Sequence, residues 1–493
     1  MFDLTTWQII SLVLYVMNMA LAIIISIALI FRKLDPVKTL SWVVVLILLP
    51  YIGVICYLFF GQNFRKKKIY SRKWAADYKL RKKAGIKQLE KIKSGKLALS
   101  GELLPFRKII IQNLKNSSTL LDNNAAIEFF FTGREALDAM FKAMEEAKEH
   151  IHLQSYIIEN DNTGRRFREL LIRKAREGVD VKVLFDGVGS IKLKKDFTEG
   201  MKEAGVEIIV FAPIRFFMPM SKINYRNHRK ILVTDGKSGF LGGVNIADRY
   251  YYGTPEGDWH DTHIRVEGES VLSLQSIFLM DRHFALNRRF RFKKKYYPSL
   301  EINMEGGMEG KNLNSQIISS GPDSDWSSIM QCYFSTITAA RDHIYIVTPY
   351  FTPCESILNA IKIAALGDID VRIMLPEHSD TRLAQWSTMS YIGELIDAGV
   401  KIYLFKEGFN HSKVISIDGV MSIVGSANMD VRSFEHNFEV MAVIYNRECA
   451  ETIEKRYIED TGKCTMLTRS KWDKRSEKEK IAESFARLCS PLL

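Results

Sequence analysis

Residues 228–245 read HRKILVTDGKSGFLGGVN, and the same pattern returns at 411–428 as HSKVISIDGVMSIVGSAN. In both copies the His is followed by Lys after two positions, by Asp after seven and by Asn after seventeen. A polar pattern repeated at fixed offsets within apolar sequence indicates a duplicated structural unit. We therefore expect two halves that fold alike and bring both His–Lys pairs into one site.

Each copy of the motif is typical of a strand with polar residues at one end. The run ILVTD after Lys230 has a β-type composition, and side chains two positions apart in a strand point to the same side. His228 and Lys230 are therefore expected to face one pocket. Gly242 and Gly243 permit close approach of the backbone to a ligand, and Asn245 offers an amide just beyond them.

The sequence around the motifs is duplicated as well. HIHLQSYII at 150–158 matches HIYIVTPYF at 343–351, and MKEAGVEIIVF matches LIDAGVKIYLF in the same order. Alternating strand-like and helix-like blocks predict an α/β fold, here two similar α/β sandwich halves with mixed sheets. The expected boundaries are a first half at 105–290, a linker at 291–312, and a second half with a C-terminal helix at 313–493.

Residues 1–63 are expected to form a membrane anchor. The runs 7–31 and 40–60 are uncharged, and each is long enough to cross a hydrocarbon core of about 30 Å. Three basic residues lie between the runs and seven follow the second, so both termini are expected in the cytoplasm. The basic connector that follows, 64–104, either lies on an anionic leaflet or is a solvated linker helix.

The composition indicates an anionic partner. The 493 residues include 69 basic and 57 acidic side chains, which gives a net charge of +12. Nucleic acid and anionic lipid both fit this balance, and charge alone does not separate them. The six cysteines show no C-x-x-C pair and no zinc-ligand spacing, so they are expected to be small buried or membrane-embedded thiols.

Two histidines and two lysines suit a tetrahedral phosphodiester. One neutral imidazole attacks phosphorus and forms a phosphohistidine, while the other, protonated, donates to the leaving oxygen. The lysines and the amides of Asn245 and Asn428 would neutralise charge on the non-bridging oxygens. Zinc is the competing interpretation, but the ligands are too few and ammonium groups repel the metal. We therefore expect no metal and no cofactor.

The repeated H-x-K-x4-D followed by G-[GS]-x-N resembles the phospholipase D superfamily. The blocks YRNHRKILVTDG, GFNHSKVISIDG and VGSANMDVRSFEHNFEV, with the paired apolar runs, are similar to the bacterial cardiolipin synthases over nearly the whole chain. One departure is Asp281-Arg282, which stands where the family usually has Asp-Trp.

The resemblance implies that His228 is the nucleophile and His411 the general acid and base. The motif residues that form the expected catalytic set are His228, Lys230, Asp235, His411, Lys413 and Asp418. Within that set the two aspartates are interpreted as structural or orienting carboxylates. The expected substrate-binding set is Asn245, Asn428, Gly243, Ser426 and Glu439. Glu439, and also Asp261, fits the family's carboxylate that orients the opposite histidine.

The implied reaction joins two phosphatidylglycerols into cardiolipin and glycerol at the cell membrane. A phospholipase D-type hydrolase or another phosphatidyltransferase would use the same residues. A nuclease fits the basic charge, but two membrane spans favour lipid, so no nucleic-acid partner is expected. Two intact motifs argue against a membrane scaffold without catalysis.

Overall fold

The computed structural model describes residues 4–31, 36–57, 75–97, 99, 101–117, 119–213, 225–255, 257–287, 293–298 and 313–490. The chain divides into two compact units, one of Met1–Lys66 with Ile214–Tyr225 and the other of Lys67–Pro213 with Arg226–Leu493. The start of the expected connector at 64–104 and most of the expected linker at 291–312 lie outside the described residues.

The N-terminal unit contains the apolar helices α1 (Leu4–Phe31), α2 (Pro36–Leu48) and α3 (Pro50–Cys56). Within α1, Trp7–Phe31 is long and apolar enough to cross a membrane. The second apolar run is divided at Leu49, whose φ of −126° and ψ of 66° are not helical. Pro50 explains the break, because a proline disfavours helical angles at the residue before it. A second membrane span therefore stays a prediction.

The larger unit begins with α4 (Ala75–Lys93) and α5 (Arg107–Asn116). The first half then contains β1 (Asp122–Thr132), α6 (Gly133–Glu146), β2 (His150–Ser155), α7 (Asn162–Arg176), β3 (Asp180–Asp186), α8 (Lys195–Glu203), β4 (Glu207–Phe211), β5 (Ile231–Thr234), β6 (Ser238–Gly242), α9 (Asp248–Tyr252), β7 (Trp259–Gly268) and α10 (Glu269–Leu286). Local sequence sets these boundaries: Thr132 and Glu135, for example, form a capping box at the start of α6.

The second half repeats this order with additions at its end. Its elements are β8 (Leu313–Ser320), α11 (Ser328–Ile337), β9 (His343–Val347), β10 (Phe351–Thr352), α12 (Glu355–Leu366), β11 (Asp370–Pro376), α13 (Arg382–Met389), α14 (Ile392–Asp397), β12 (Lys401–Phe405), β13 (Phe409–Asn410), β14 (Val414–Ile417), β15 (Met421–Gly425), β16 (Met429–Asp430), α15 (Val431–Glu435), β17 (Glu439–Tyr445), α16 (Arg447–Thr461), β18 (Cys464–Leu467), α17 (Arg469–Asp473) and α18 (Glu477–Cys489).

One mixed sheet runs through both halves. In the described residues its strand order is β18-β12-β11-β9-β14-β15-β17-β8-β1-β7-β6-β5-β2-β3-β4, with β13 beside β7. The strands β2, β3 and β4 are parallel, as are β9, β11 and β12. The predicted α/β class with mixed strands is confirmed. The halves share one sheet rather than forming two, because the edge of β1 pairs with β8, with Asp122 opposite Ser315.

Helix α5 lies within the expected first half of the sequence but packs in the core of the second half. Residues 107–116 were expected in the first half, yet Ile109 and Ile110 belong to the apolar core of the second half. The Asn113 amide donates to the Gln316 side-chain oxygen over 3.1 Å, and Ser335 donates to Gln112 over 2.6 Å. The segment before β1 therefore folds with the second half.

Candidate active site

The backbone of each half fixes the motif histidine of the other half. Strand β13 pairs with β7 so that Asn410 lies opposite His260, and the next residue, His411, donates its backbone N–H to the His260 carbonyl over 2.7 Å. In the same way, the backbone N–H of His228 donates to the Phe438 carbonyl over 3.0 Å. Each accepting residue directly precedes a buried carboxylate.

These two carboxylates hold the histidine rings. His228 Nδ1 lies 3.0 Å from Glu439 Oε1, and His411 Nδ1 lies 2.8 Å from Asp261 Oδ2. Because an ionised carboxylate only accepts hydrogen bonds, each Nδ1 donates and each Nε2 keeps its lone pair. Both rings line the same cavity, so one ligand can contact two imidazoles.

Burial sets the protonation states of these groups. It lowers the pKa of His228, with Glu439 opposing, and lowers the pKa of His411 well below its ordinary value. Burial would raise the pKa of Glu439, but His228 and Lys230 lower it overall. Burial raises the pKa of Asp261 to about 6 although Lys413 opposes the rise. The rings are therefore mainly neutral at pH 7, and Glu439 is ionised over a wider pH range than Asp261.

Lys230 and Lys413 are buried beside the rings. Lys230 Nζ donates to the His228 carbonyl over 2.7 Å, and Lys413 Nζ donates to the His411 carbonyl. Burial lowers the pKa of Lys230 to about 7 and that of Lys413 to about 8. A phosphate near these ammonium groups would favour their charged forms.

The two motif asparagines line the cavity but have different partners. Asn245 accepts from the Ile157 backbone N–H over 3.1 Å and donates to the Tyr250 hydroxyl over 2.7 Å. Asn428 donates to Asp430 over 3.1 Å, and its side-chain oxygen has no hydrogen-bond partner among the described residues.

Gly243, Ser426 and Glu439, which the sequence placed in the substrate-binding set, are buried behind the rings. A Cβ on Gly243 would lie 2.1 Å from Asp261 Oδ1, so only glycine leaves room for that carboxylate. At the equivalent position of the second half, the Ser426 hydroxyl donates to Glu439 Oε2 over 2.5 Å. Gly243 and Ser426 therefore contact the carboxylates that hold the histidines, and Glu439 is one of those carboxylates.

Asp235 and Asp418 lie in the turns after β5 and β14, both with a φ of 55°. Asp235 accepts three backbone N–H groups, those of residues 148–150, over 2.8 to 2.9 Å. Asp418 accepts those of residues 341–343 over 2.9 to 3.0 Å. Neither carboxylate lines the cavity. Each fastens its turn to the start of a neighbouring strand.

The cavity has a volume of about 950 Å³ and also contains residues that the motif analysis missed. Tyr156 packs edge-on against the His228 ring, with centroids 4.9 Å apart. Arg249 and Arg432 line the cavity from both halves, and each follows its motif asparagine by four positions. That shared offset was a signal in the sequence. Within the described ranges, no group of three or more His, Cys, Asp or Glu side chains is arranged to hold a metal.

Arg282, at the departure from the family pattern, lies away from this cavity. Its guanidinium pairs with Glu207 on β4, at 2.6 and 2.9 Å. Its neighbour Asp281 is buried and accepts hydrogen bonds from Arg229, Gln154 and Asn227. Asp281 therefore supports the residues on both sides of His228.

Comparison with known proteins agrees with this arrangement. Residues 140–267 and 333–461 match the family described as "Cardiolipin synthase, PLD-like domain", one match in each half. Residues 20–62 match a phospholipase D-nuclease N-terminal family. The solved phosphatidylserine synthase of Haemophilus influenzae has a similar fold, with a TM-score of 0.58 at 17% identity over 78% of this chain and 99% of its own.

Full-length relatives are considerably more similar. A cardiolipin synthase of Oceanobacillus iheyensis is 39% identical over 97% of this chain and 98% of its own length. One of Listeria monocytogenes is 38% identical over 98% of both chains, and one of Halalkalibacterium halodurans is 40% identical over 96% of this chain and 92% of its own. The resemblance seen in the motifs is confirmed, and the chain belongs to the cardiolipin synthase family of phospholipase D-like proteins.

Proposed function

We propose that this protein transfers the phosphatidyl group of one phosphatidylglycerol to the headgroup hydroxyl of a second, giving cardiolipin and glycerol. One observation carries the proposal: His228 and His411 line one cavity, and each is held by a carboxylate from the opposite half. Such a site presents two imidazoles to a single phosphodiester. Relatives named as cardiolipin synthases match nearly the whole chain, which favours this reaction over other phosphoryl transfers.

The first step forms a covalent intermediate. His228 Nε2 attacks phosphorus, and the bond from phosphorus to the headgroup glycerol oxygen breaks. His411, protonated at Nε2 when the anionic phosphate is bound, gives its proton to that oxygen, and glycerol leaves. Glu439 keeps Nδ1 of His228 as the donor, so Nε2 has the lone pair that the attack requires.

The second step reverses the proton transfer. The neutral His411 accepts the proton of the headgroup hydroxyl of a second phosphatidylglycerol, and the hydroxyl oxygen attacks phosphorus. The bond between phosphorus and His228 breaks, cardiolipin leaves, and both histidines return to their starting states. Asp261 holds the His411 ring and stabilises its protonated form.

The cations beside the rings are suited to the non-bridging oxygens. Lys230 and Lys413 gain positive charge when an anion binds, because burial, opposed by the nearby carboxylates, lowers their pKa to about 7 and about 8. Asn428 faces the same cavity with its amide. Asp235 and Asp418 hold the hairpin turns and are assigned no proton transfer.

Product analysis separates this transferase from a hydrolase that uses the same residues. Purified full-length protein would be incubated with phosphatidylglycerol alone in detergent micelles. We expect cardiolipin and glycerol in equal amounts, and almost no phosphatidate. Phosphatidate without cardiolipin would replace the proposal with a phospholipase D-type hydrolase.

We further propose a two-span anchor with both termini and the catalytic unit in the cytoplasm. The support is the long apolar helix at Trp7–Phe31, the second apolar run, and the excess of basic residues after that run. Membrane-impermeant thiol labelling tests it. Lys33→Cys should be labelled in intact spheroplasts, and Ser71→Cys only after permeabilisation. The reverse pattern would contradict the orientation.

A further inference from the structure

The cavity contains a second pair of duplicated cations besides the motif lysines. Arg249 follows Asn245 by four positions, and Arg432 follows Asn428 by four positions. Both side chains line the cavity, one from each half. Side chains at equivalent positions of a duplicated fold are expected to face a shared site in the same way. A difference in their ion-pair partners therefore indicates that they have different functions.

The two arginines differ in their partners. Arg249 forms an ion pair with Glu159 over 2.9 Å, and its guanidinium lies over the Tyr250 ring. Arg226, a third guanidinium of the cavity, pairs with the buried Asp186 at 3.3 Å. No carboxylate among the described residues forms an ion pair with the partly buried Arg432. Among these three cavity-lining guanidiniums, Arg432 is therefore the one without an ion-pair partner in the part of the chain that the structure describes.

Arg432 lies on the side of the cavity that holds His228. Its backbone carbonyl accepts the Asn437 N–H over 2.9 Å, and the next residue, Phe438, accepts the His228 N–H over 3.0 Å. The Tyr156 ring packs against His228 with centroids 4.9 Å apart. Burial and Asp186 raise the pKa of the Tyr156 hydroxyl, and the charge of Arg432 opposes that rise. The charge of Arg432 therefore acts on the ring that packs against the histidine that would carry the phosphatidyl group.

An unbalanced guanidinium in a cavity suits an anion, and the site already has lysines for the reacting phosphate. The second phosphatidylglycerol brings its own phosphodiester, which must lie near its attacking hydroxyl. A guanidinium binds phosphate oxygens through two parallel hydrogen bonds. We propose that Arg432 binds the phosphate of the acceptor lipid and thereby selects a phospholipid over glycerol or water; this rests on the proposed transfer reaction.

Two reactions of the same intermediate provide the test. Labelled glycerol attacks the phosphorus of the phosphohistidine and gives its proton to His411, while the bond between phosphorus and His228 breaks. This regenerates labelled phosphatidylglycerol and needs no second lipid. Formation of cardiolipin needs one. Purified full-length protein in micelles of detergent and phosphatidylglycerol would be given labelled glycerol, and the ratio of cardiolipin formed to glycerol exchanged would be measured.

Neutral variants should change this ratio rather than the exchange rate. We expect Arg432→Gln and Arg432→Met to lower it about tenfold, the effect of losing one charge-assisted contact, with exchange within twofold of wild type. Arg432→Lys keeps the charge but loses the planar guanidinium that forms two parallel hydrogen bonds. Its ratio should therefore lie between those of the neutral variants and the wild type. The matched control is Arg447→Gln, which neutralises an exposed arginine in an i,i+4 ion pair. This substitution should leave the ratio of cardiolipin formed to glycerol exchanged unchanged.

An unchanged ratio in either neutral variant would overturn the proposal. So would a parallel loss of both reactions in the two neutral variants, since Arg432 would then serve the donor phosphate or the fold. Wild-type protein that exchanges no glycerol and makes only phosphatidate would instead refute the proposed transfer reaction, which is a separate result.

Discussion

Asp261 Oδ2 and His411 Nδ1 lie 2.8 Å apart although the two residues are 150 positions apart and belong to opposite halves. The reciprocal pair, Glu439 and His228, has its closest contact at 3.0 Å. Neither motif histidine therefore takes its carboxylate partner from its own half. The duplicated units form one site only together, which explains why they share a sheet and exchange backbone hydrogen bonds next to each histidine.

Replacing either carboxylate by its amide should impair catalysis without removing the side chain. An amide can donate a hydrogen bond to the ring, which favours the tautomer with its lone pair on the wrong nitrogen. We expect Asp261→Asn and Glu439→Gln to lower kcat on the order of 10²- to 10⁴-fold. Initial rates of cardiolipin formation would be compared with Glu451→Gln, an exposed carboxylate. Rates within twofold of this control would show that the ring partners are dispensable.

Gly243 and Ser426 occupy equivalent positions behind the two carboxylates. Replacing each of them by the residue found in the other half should lower activity to different extents. Gly243→Ser would place a Cβ 2.1 Å from Asp261 Oδ1, so that carboxylate must move and activity should fall about as far as in Asp261→Asn. Ser426→Gly loses one hydrogen bond to Glu439 and creates no clash, so a loss of about tenfold is expected.

The control for these two substitutions is Gly101→Ala, where an added Cβ meets nothing within 4 Å. Thermal melting in detergent separates unfolding from a local effect. If Gly243→Ser remained as active as the control, Asp261 would not need its observed position.

Asp418 should matter for stability rather than for turnover. Its carboxylate accepts three backbone N–H groups, and Asp418 is not among the residues that line the cavity. We expect Asp418→Ala to lower the free energy of unfolding by about 1–3 kcal/mol, the effect of losing three hydrogen bonds of modest net strength, while kcat at low temperature stays near wild type. A large loss of kcat at an unchanged melting temperature would instead assign this residue to the reaction.

The pH dependence of kcat/KM should reflect the buried cations and Asp261. Below about pH 6 Asp261 becomes protonated and no longer stabilises a charged His411, so the rate should fall with falling pH. Above about pH 7 to 8 the lysines of the free enzyme lose their charge and bind phosphate less well, so kcat/KM should also fall with rising pH.

Lys230→Arg provides the check on the alkaline side, because Lys230 has the lower pKa of the two lysines. An arginine stays charged throughout this range, so the fall in kcat/KM should move from about pH 7 to about pH 8, where Lys413 loses its charge, if the variant retains activity. An alkaline limb that does not move, in a variant that still makes cardiolipin, would exclude Lys230 as its cause.

The motif residues were predictable because duplication repeats them at constant offsets. His228 and His411 could be paired from the sequence before any contact was known, and Glu439 and Asp261 were expected to orient the opposite ring. The shared sheet was not predictable, because the pairing of β1 with β8 depends on which strand edges remain free after each half folds. The clash that requires glycine at 243 depends on a residue 18 positions away on another strand. Arg249 and Arg432 did share an offset, and extending the motif by four residues would have found them.

The covalent intermediate on His228 is the central claim, and trapping it is the most direct test. His411→Ala lacks the residue proposed as the base that activates the acceptor. With phosphatidylglycerol that carries labelled phosphorus, the label should therefore accumulate on the protein during long incubation. We predict one acid-labile, base-stable label in the peptide that contains His228, absent from the His228→Ala variant. No label, or a label on another residue, would contradict the two-histidine mechanism.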